Sequence, residues 1–385
     1  MPWYPRILTA INTAAPGLCA TQAINLALLV SAILARRTLC LSSLARAYPA
    51  PAQRRAPAPK HDLLHRLKRL WRFLANERVD PLAVQAAFIP HVVASLGHPR
   101  WLGLIIDWTM FDTVLPTGRR VRYQVLRLAV PRVGRAIPLL QLAYDRDRLP
   151  PDTSQNQLEE RALQAVVAAL PAGVRPVILA DRGFARASLF EWLRERQLDY
   201  VIRIDKGTCL TEPDGRRWKL GQERMTLGQT RWAPGVRYGL HHGRPRDLSL
   251  NVALCWQEPK RRPGRRRSAS PPEPWYLATS LGSAGRTVAW YRQRWWIEAS
   301  FKDSKSGFGL AKVQVARPER LSRLLIGLTL ALAWLLLAAL PASRWAPPGW
   351  QAALSQWGRV SLITLALALL DDHRDLPPAC LPAAA

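Results

Sequence analysis

The 385-residue chain contains 27 Asp and Glu against 55 Lys and Arg, so a carboxylate in apolar surroundings stands out. Asp107 follows the run "LGLII" and Asp181 follows "PVILA", each where a hydrophobic strand gives way to polar residues. That is a common position for a reactive side chain on an α/β sheet. A third carboxylate, Glu298, lies in "YRQRWWIEASFKDSK" (291–305). On a helix of about 100° per residue, Tyr291, Arg294, Glu298 and Lys305 fall within an arc of about 60°, beside an apolar edge of Trp290, Ile297 and Phe301. A surface helix ordinarily turns its charges away from its buried edge. Three carboxylates on rigid elements, with no His or Cys cluster, suit a hard oxygen-preferring cation such as Mg²⁺. Two such ions about 3.5–4 Å apart can activate an attacking oxygen and stabilise a leaving one at phosphorus. Arg294 would offer a phosphate a bidentate fork, Lys305 a point charge and Tyr291 a hydrogen bond. Taken by spacing alone, the stripe also fits an ion-paired helix with Arg294 and Glu298 four residues apart. A single strand-end Asp equally fits a turn or N-cap.

Composition narrows the partners. A formal charge of +28 attracts a polyanion, either nucleic acid or an anionic membrane surface. Hydrophobic residues at 49% exclude a wholly disordered basic tail. The cysteines (Cys19, Cys40, Cys209, Cys255, Cys380) are scattered and never form a CxxC pair, which suits a reducing cytoplasm and gives no zinc signature. The start "MPWYPRILTA" lacks the order of a signal peptide. Leu324–Leu340 is apolar apart from Thr329 and at the short limit for a membrane span; a large basic region before it favours a helix buried inside a protein, with no membrane partner.

The elements that must position these residues read as follows. Residues 1–60 form a helical segment and the Pro/Ala linker "YPAPAQRRAPAPK", which cannot continue a helix. Residues 61–100 form a second helical region, where "HDLLHRLKRLWRFLANE" has one face of Leu63, Leu67, Leu70 and Leu74 and another of Arg66, Lys68, Arg69 and Arg72. That basic face fits either solvent or a DNA backbone. From residue 101 the period shortens to that of strands. Three strands, helix, strand, helix, strand over 101–207 make an α/β sheet with an antiparallel start. A β-rich insertion with a cationic loop covers 208–274, the second part of the core with the Glu298 helix covers 275–345, and a last helix and tail cover 346–385.

The spacing Tyr291, Arg294, Glu298, Lys305 is the Y-(2)-R-(3)-E-(6)-K signature of bacterial transposases of the "insertion sequence four" group, which the chain resembles over roughly residues 60–340. "DWT" at 107–109 and "ADRGF" at 180–184 are similar to the segments around that group's two aspartates. The resemblance implies a DDE enzyme with an RNase H-like mixed sheet, flanking helices, a β-rich insertion between the second Asp and the Glu, and a helical N-terminal region. It implies Asp107, Asp181 and Glu298 as the catalytic and metal-binding triad, with two Mg²⁺ ions for which Mn²⁺ can substitute. It implies Tyr291, Arg294 and Lys305 as DNA-backbone contacts. "WYLAT" resembles a W-x-L-x-T strand whose Trp stacks on a flipped base, making Trp275 a candidate for that role beside plain sheet core. The implied partners are terminal inverted repeats and target DNA, bound by a homodimer in the DNA complex of a bacterial, nucleoid-associated protein. The alternatives are an RNase H-like nuclease or domesticated derivative that cuts without joining, and a non-catalytic basic DNA-binding protein. Arg182 is expected as a strand-end salt-bridge partner, Asp145 and Asp147 as a solvated turn, and Asp303 as pointing away from the stripe.

Overall fold

A computed structural model describes residues 3–48, 59–147, 149, 153–241, 244–257, 273–345 and 363, 364, 366, 367 and 370. Most of the expected Pro/Ala linker, the cationic loop and the last helix near 351–370 lie outside these residues. The chain begins with helices α1 (Tyr4–Ala14), α2 (Ala20–Arg36), α3 (Leu41–Ala47), α4 (Pro59–Ala75), α5 (Pro81–Ala87) and α6 (Ile89–Ser95). Strands β1 (Trp101–Val114), β2 (Arg120–Arg132) and β3 (Arg135–Asp145) follow, then α7 (Gln155–Ala168), β4 (Arg175–Ala180), α8 (Ala187–Glu195) and β5 (Asp199–Arg203). The insertion supplies β6 (Cys209–Thr211), β7 (Arg217–Lys219), β8 (Thr230–Tyr238), the short β9 (Leu240–His241) and β10 (Arg244–Pro245), and β11 (Ser249–Cys255). Last come β12 (Trp275–Thr279), α9 (Ala284–Arg294), α10 (Trp296–Lys302), a π-helical turn (Asp303–Gly307) and α11 (Pro318–Trp345).

Two compact units share this order. One comprises Met1–Arg100, Asp107–Val174 and Trp296–Ala385; the other comprises Trp101–Ile106 and Arg175–Trp295. In the first, the strand order is β3–β2–β1, and β2 and β3 form an antiparallel hairpin from Tyr123↔Asp145 to Arg132↔Arg135. From Thr109 to Val114 buried and exposed residues alternate along β1, as one covered face and one open face require. Helix α11 packs on β3 and on α2. Its stretch Pro318–Ala339 is long and apolar enough to cross a membrane, yet it is buried within the protein from Leu321 to Ala339, as a helix hydrophobic on all sides must be. Within it Thr329 donates to Gln85 Oε1 at 2.7 Å and accepts from Gln141 Nε2 at 2.9 Å, and the Ser322 hydroxyl accepts from Ala143 N–H at 2.9 Å. Helix α2 is therefore part of the core: Leu26, Leu29, Ile33 and Leu34 are all buried.

In the second unit the order is β1–β4–β5–β12–β11–β8–β6–β7. The β1–β4 and β4–β5 pairs are parallel, and the pairs from β5–β12 to β6–β7 are antiparallel. The first half of β1 and most of β4 are buried, the mark of strands covered on both faces. The longer strands of the insertion do not form a body apart. They extend the sheet outward from β12, which leaves no open edge on that strand.

Candidate active site

The helix expected to run unbroken over 291–305 is interrupted twice. Helix α9 ends at Arg294 and α10 begins at Trp296, and the amide of Trp295 bonds Gln293 O instead of continuing the ladder. After Lys302 the turn widens to π-geometry, closed by Phe308 N–H to Asp303 O at 3.1 Å. Each change departs from the even rotation of about 100° per residue that the stripe of Tyr291, Arg294, Glu298 and Lys305 assumed. The Ser304 hydroxyl donates to Ser300 O, four residues back, at 3.0 Å, a bond that competes with the helix's own pattern. π-turns of this kind recur at functional sites. The break divides the four residues between the units: Tyr291 and Arg294 belong to one, Glu298 and Lys305 to the other.

In the unit that holds β2, β3 and α10, Asp107 is half-buried on β1 and its Oδ1 accepts from Trp108 N–H at 2.8 Å. Trp108 donates its indole N–H to the buried Glu159 at 2.7 Å. Glu298 is half-buried on α10, and Ser300, two residues on, ties that helix to β3. The Ser300 hydroxyl accepts from Ala136 N–H at 2.7 Å and donates to Ala136 O at 2.9 Å. Asp303 pairs with Arg135 at 2.6 Å, which occupies it structurally, although burial pushes its carboxyl above the ordinary value. Burial first, and Arg127 second, pull the Lys305 ammonium below its ordinary value. Arg127 itself is fully buried in the middle of β2. It went unremarked in the sequence, though the signal was there: a charged residue inside the apolar run "YQVLRLAVP".

In the other unit Asp181 caps a 3-10 turn, Arg182–Phe184, its Oδ1 accepting from Gly183 N–H at 2.8 Å. Arg182 is exposed there and makes no ion pair among the described residues, contrary to expectation, because its one-turn helix carries it outward. Tyr291 and Arg294 are buried. The Arg294 guanidinium lies 5.8 Å from the Tyr291 ring and 5.6 Å from that of Trp295, which is 65% exposed at the helix break. Trp275 packs edge-on against Tyr291 with ring centroids 5.1 Å apart. Burial raises the Tyr291 phenol; Arg294 and Arg203 oppose this and Asp181 adds to it. Asp181, Tyr291, Arg294 and Trp275 are thus neighbours by packing or by field. The parallel register of β1 and β4 ends at Ile105↔Leu179, and an aspartate, Asp107 or Asp181, follows each of these by two positions. Asp145 accepts from the Asp147 amide in a turn, as expected.

The family model of the transposase DDE domain matches residues 102–334, more than half of the chain. The chain belongs to this family. Its mixed α/β architecture is accordingly RNase H-like, and a transposase-type, nucleotidyl-transferring activity on DNA with divalent metal ions comes with membership. No curated protein matches the chain. Carboxylate oxygens are hard donors that suit such an ion, and Asp107, Asp181 and Glu298 all lie inside the matched span. Among the described residues, no group of three or more His, Cys, Asp or Glu side chains is arranged to hold a metal.

Proposed function

We propose that the chain is the transposase of a bacterial insertion sequence of the "insertion sequence four" group, cutting at the element's ends and joining the freed 3′-hydroxyl to target DNA. In this reading Asp107, Asp181 and Glu298 hold two Mg²⁺ ions, with Mn²⁺ able to substitute. When bound, these supply Lewis acidity to the attacking and leaving oxygens of an in-line displacement. Arg294, Tyr291 and Lys305 hold the backbone around the scissile phosphate, and Trp275 offers an aromatic surface to a base that leaves the stack. The protein works as a homodimer on paired terminal inverted repeats, at the bacterial nucleoid. The reading is carried by one observation, made within the family-matched span: β1 and β4 pair in parallel up to Ile105↔Leu179, and Asp107, within β1, and Asp181, just after β4, each follow that last pair by two positions.

The test uses purified protein, Mg²⁺ and labelled duplexes taken from the DNA flanking the gene. Asp107→Ala, Asp181→Ala and Glu298→Ala are each expected to abolish cleavage while gel-shift binding persists. Undiminished cleavage by Glu298→Ala overturns the assignment. Pre-cut ends mixed with a target plasmid should yield joined products; cutting without joining would identify a nuclease instead.

A further inference from the structure

We infer that Arg127 is a positioning residue, a buried cation that braces the Glu298 helix and the π-turn after it against the sheet. The inference rests on the reading of Glu298 as a metal ligand. The guanidinium is fully buried and makes three directed bonds: Nε and Nη2 donate to Gln141 Oε1 at 3.0 and 2.6 Å, and Nη2 donates to Ser304 Oγ at 2.7 Å. Its carbon lies 4.5 Å from the centre of the Phe301 ring. Phe301 is on α10 three residues after Glu298, and Ser304 is in the π-turn next to Lys305. One planar group thus grips the segment at two points on the C-terminal side of Glu298. Gln141, the anchor, is locked in turn by Thr329 of α11, and its own amide donates to Gln85 Oε1 of α5 at 2.9 Å.

As a stabilising device this arrangement is poor. Removing a cation from water is costly, and well-packed apolar replacements of buried charges are often neutral or stabilising. Burial lowers the group to about 9, against the fields of Asp303 and Asp107, so it keeps its charge at neutral pH. Among the described residues its Nη1 has no hydrogen-bond partner, a further cost for a buried donor. What the guanidinium supplies that an aliphatic chain cannot is direction: a flat fork joining β3 to the π-turn, with a face for Phe301. Its charge also lies in the field of Asp107, the carboxylate on the neighbouring strand. Groups that orient ligating side chains in this way typically change metal affinity or activity about 10–100-fold when replaced.

The experiment compares the full-length wild type with Arg127→Met and Arg127→Lys. It reads hydrogen exchange of residues 296–307 in metal-free protein, Mn²⁺ binding by electron paramagnetic resonance, and the cleavage rate. Arg127→Met should speed exchange selectively in 296–307, and should weaken Mn²⁺ binding and slow cleavage by about 10–100-fold. Arg127→Lys should recover only part, because a point charge cannot fork. Unchanged exchange and Mn²⁺ affinity in Arg127→Met overturn the inference, as does faster exchange spread evenly over the chain, the mark of a merely structural residue. Should Arg127→Met fail to fold, Arg127→Lys is judged on the same readouts and limits. A wild type that neither binds Mn²⁺ nor cuts DNA defeats the metal reading, whereas the exchange data still decide whether the brace exists.

Discussion

Gly327 offers a test of the packing that ties the N-terminal helices to the core. It lies in α11 facing α2, and a Cβ placed there would stand 2.8 Å from both Cγ and Cδ2 of Leu29 and 3.0 Å from Cδ1 of Ile33. Two effects of opposite sign meet in Gly327→Ala. An exposed helical Gly replaced by Ala gains about 1 kcal/mol of helix propensity. Forcing a methyl into a filled core costs about 1–3 kcal/mol. Leu29 and Ile33 are fully buried, and the nearest clash is with a branch carbon as well as a methyl tip, so the packing cost should win by about 1 kcal/mol. Leu29→Ala alone should cost about 2–5 kcal/mol through the cavity it leaves. Together the two should be less damaging than their sum by about 0.5–3 kcal/mol, because the new methyl occupies space that the truncation opened. Urea unfolding of the four proteins followed by circular dichroism measures each term. Stabilisation of about 1 kcal/mol by Gly327→Ala, with strict additivity in the double variant, would mean that α2 does not lie on α11 as described.

Two further outcomes follow from single contacts. Gly183→Ala would set a Cβ 3.0 Å from Asp181 Oδ1, the oxygen that its own amide holds; turning that carboxylate should slow metal-dependent cleavage about tenfold or more without a comparable loss of thermal stability, and an unaltered rate would separate Asp181 from the chemistry. Tyr123 is buried and donates to Val315 O at 2.7 Å, and its phenol is pushed up to about 12 by burial. A group whose folded value is raised contributes stability that is complete below the unfolded value near 10 and fades as pH climbs towards 12, here on the order of 2–3 kcal/mol. Tyr123→Phe should therefore lose about 1 kcal/mol at neutral pH yet show a shallower decline between pH 10 and 12 in urea titrations; an unchanged alkaline slope would refute the burial argument.

Much of this protein was legible in one dimension. The order of strands and helices from Trp101 to Arg203 follows from the switch between periods of two and of about 3.6 residues, because exposure of alternate faces is a local consequence of backbone geometry. Asp107 and Asp181 stand where apolar runs stop, and the spacing from Tyr291 to Lys305 resembles that of one transposase group. Other features depended on partners distant in the chain. The breaks at Trp295 and after Lys302 are invisible to a helical wheel, which assumes that every amide bonds four residues back. Whether the apolar stretch of α11 meets lipid or protein depended on α2 and β3 covering it, since hydrophobicity records aversion to water and not the identity of the neighbour. The weight of Arg127 came from Gln141, Phe301 and Ser304 closing around it: the worth of a buried charge is set by what surrounds it, and those surroundings are assembled only by the tertiary fold.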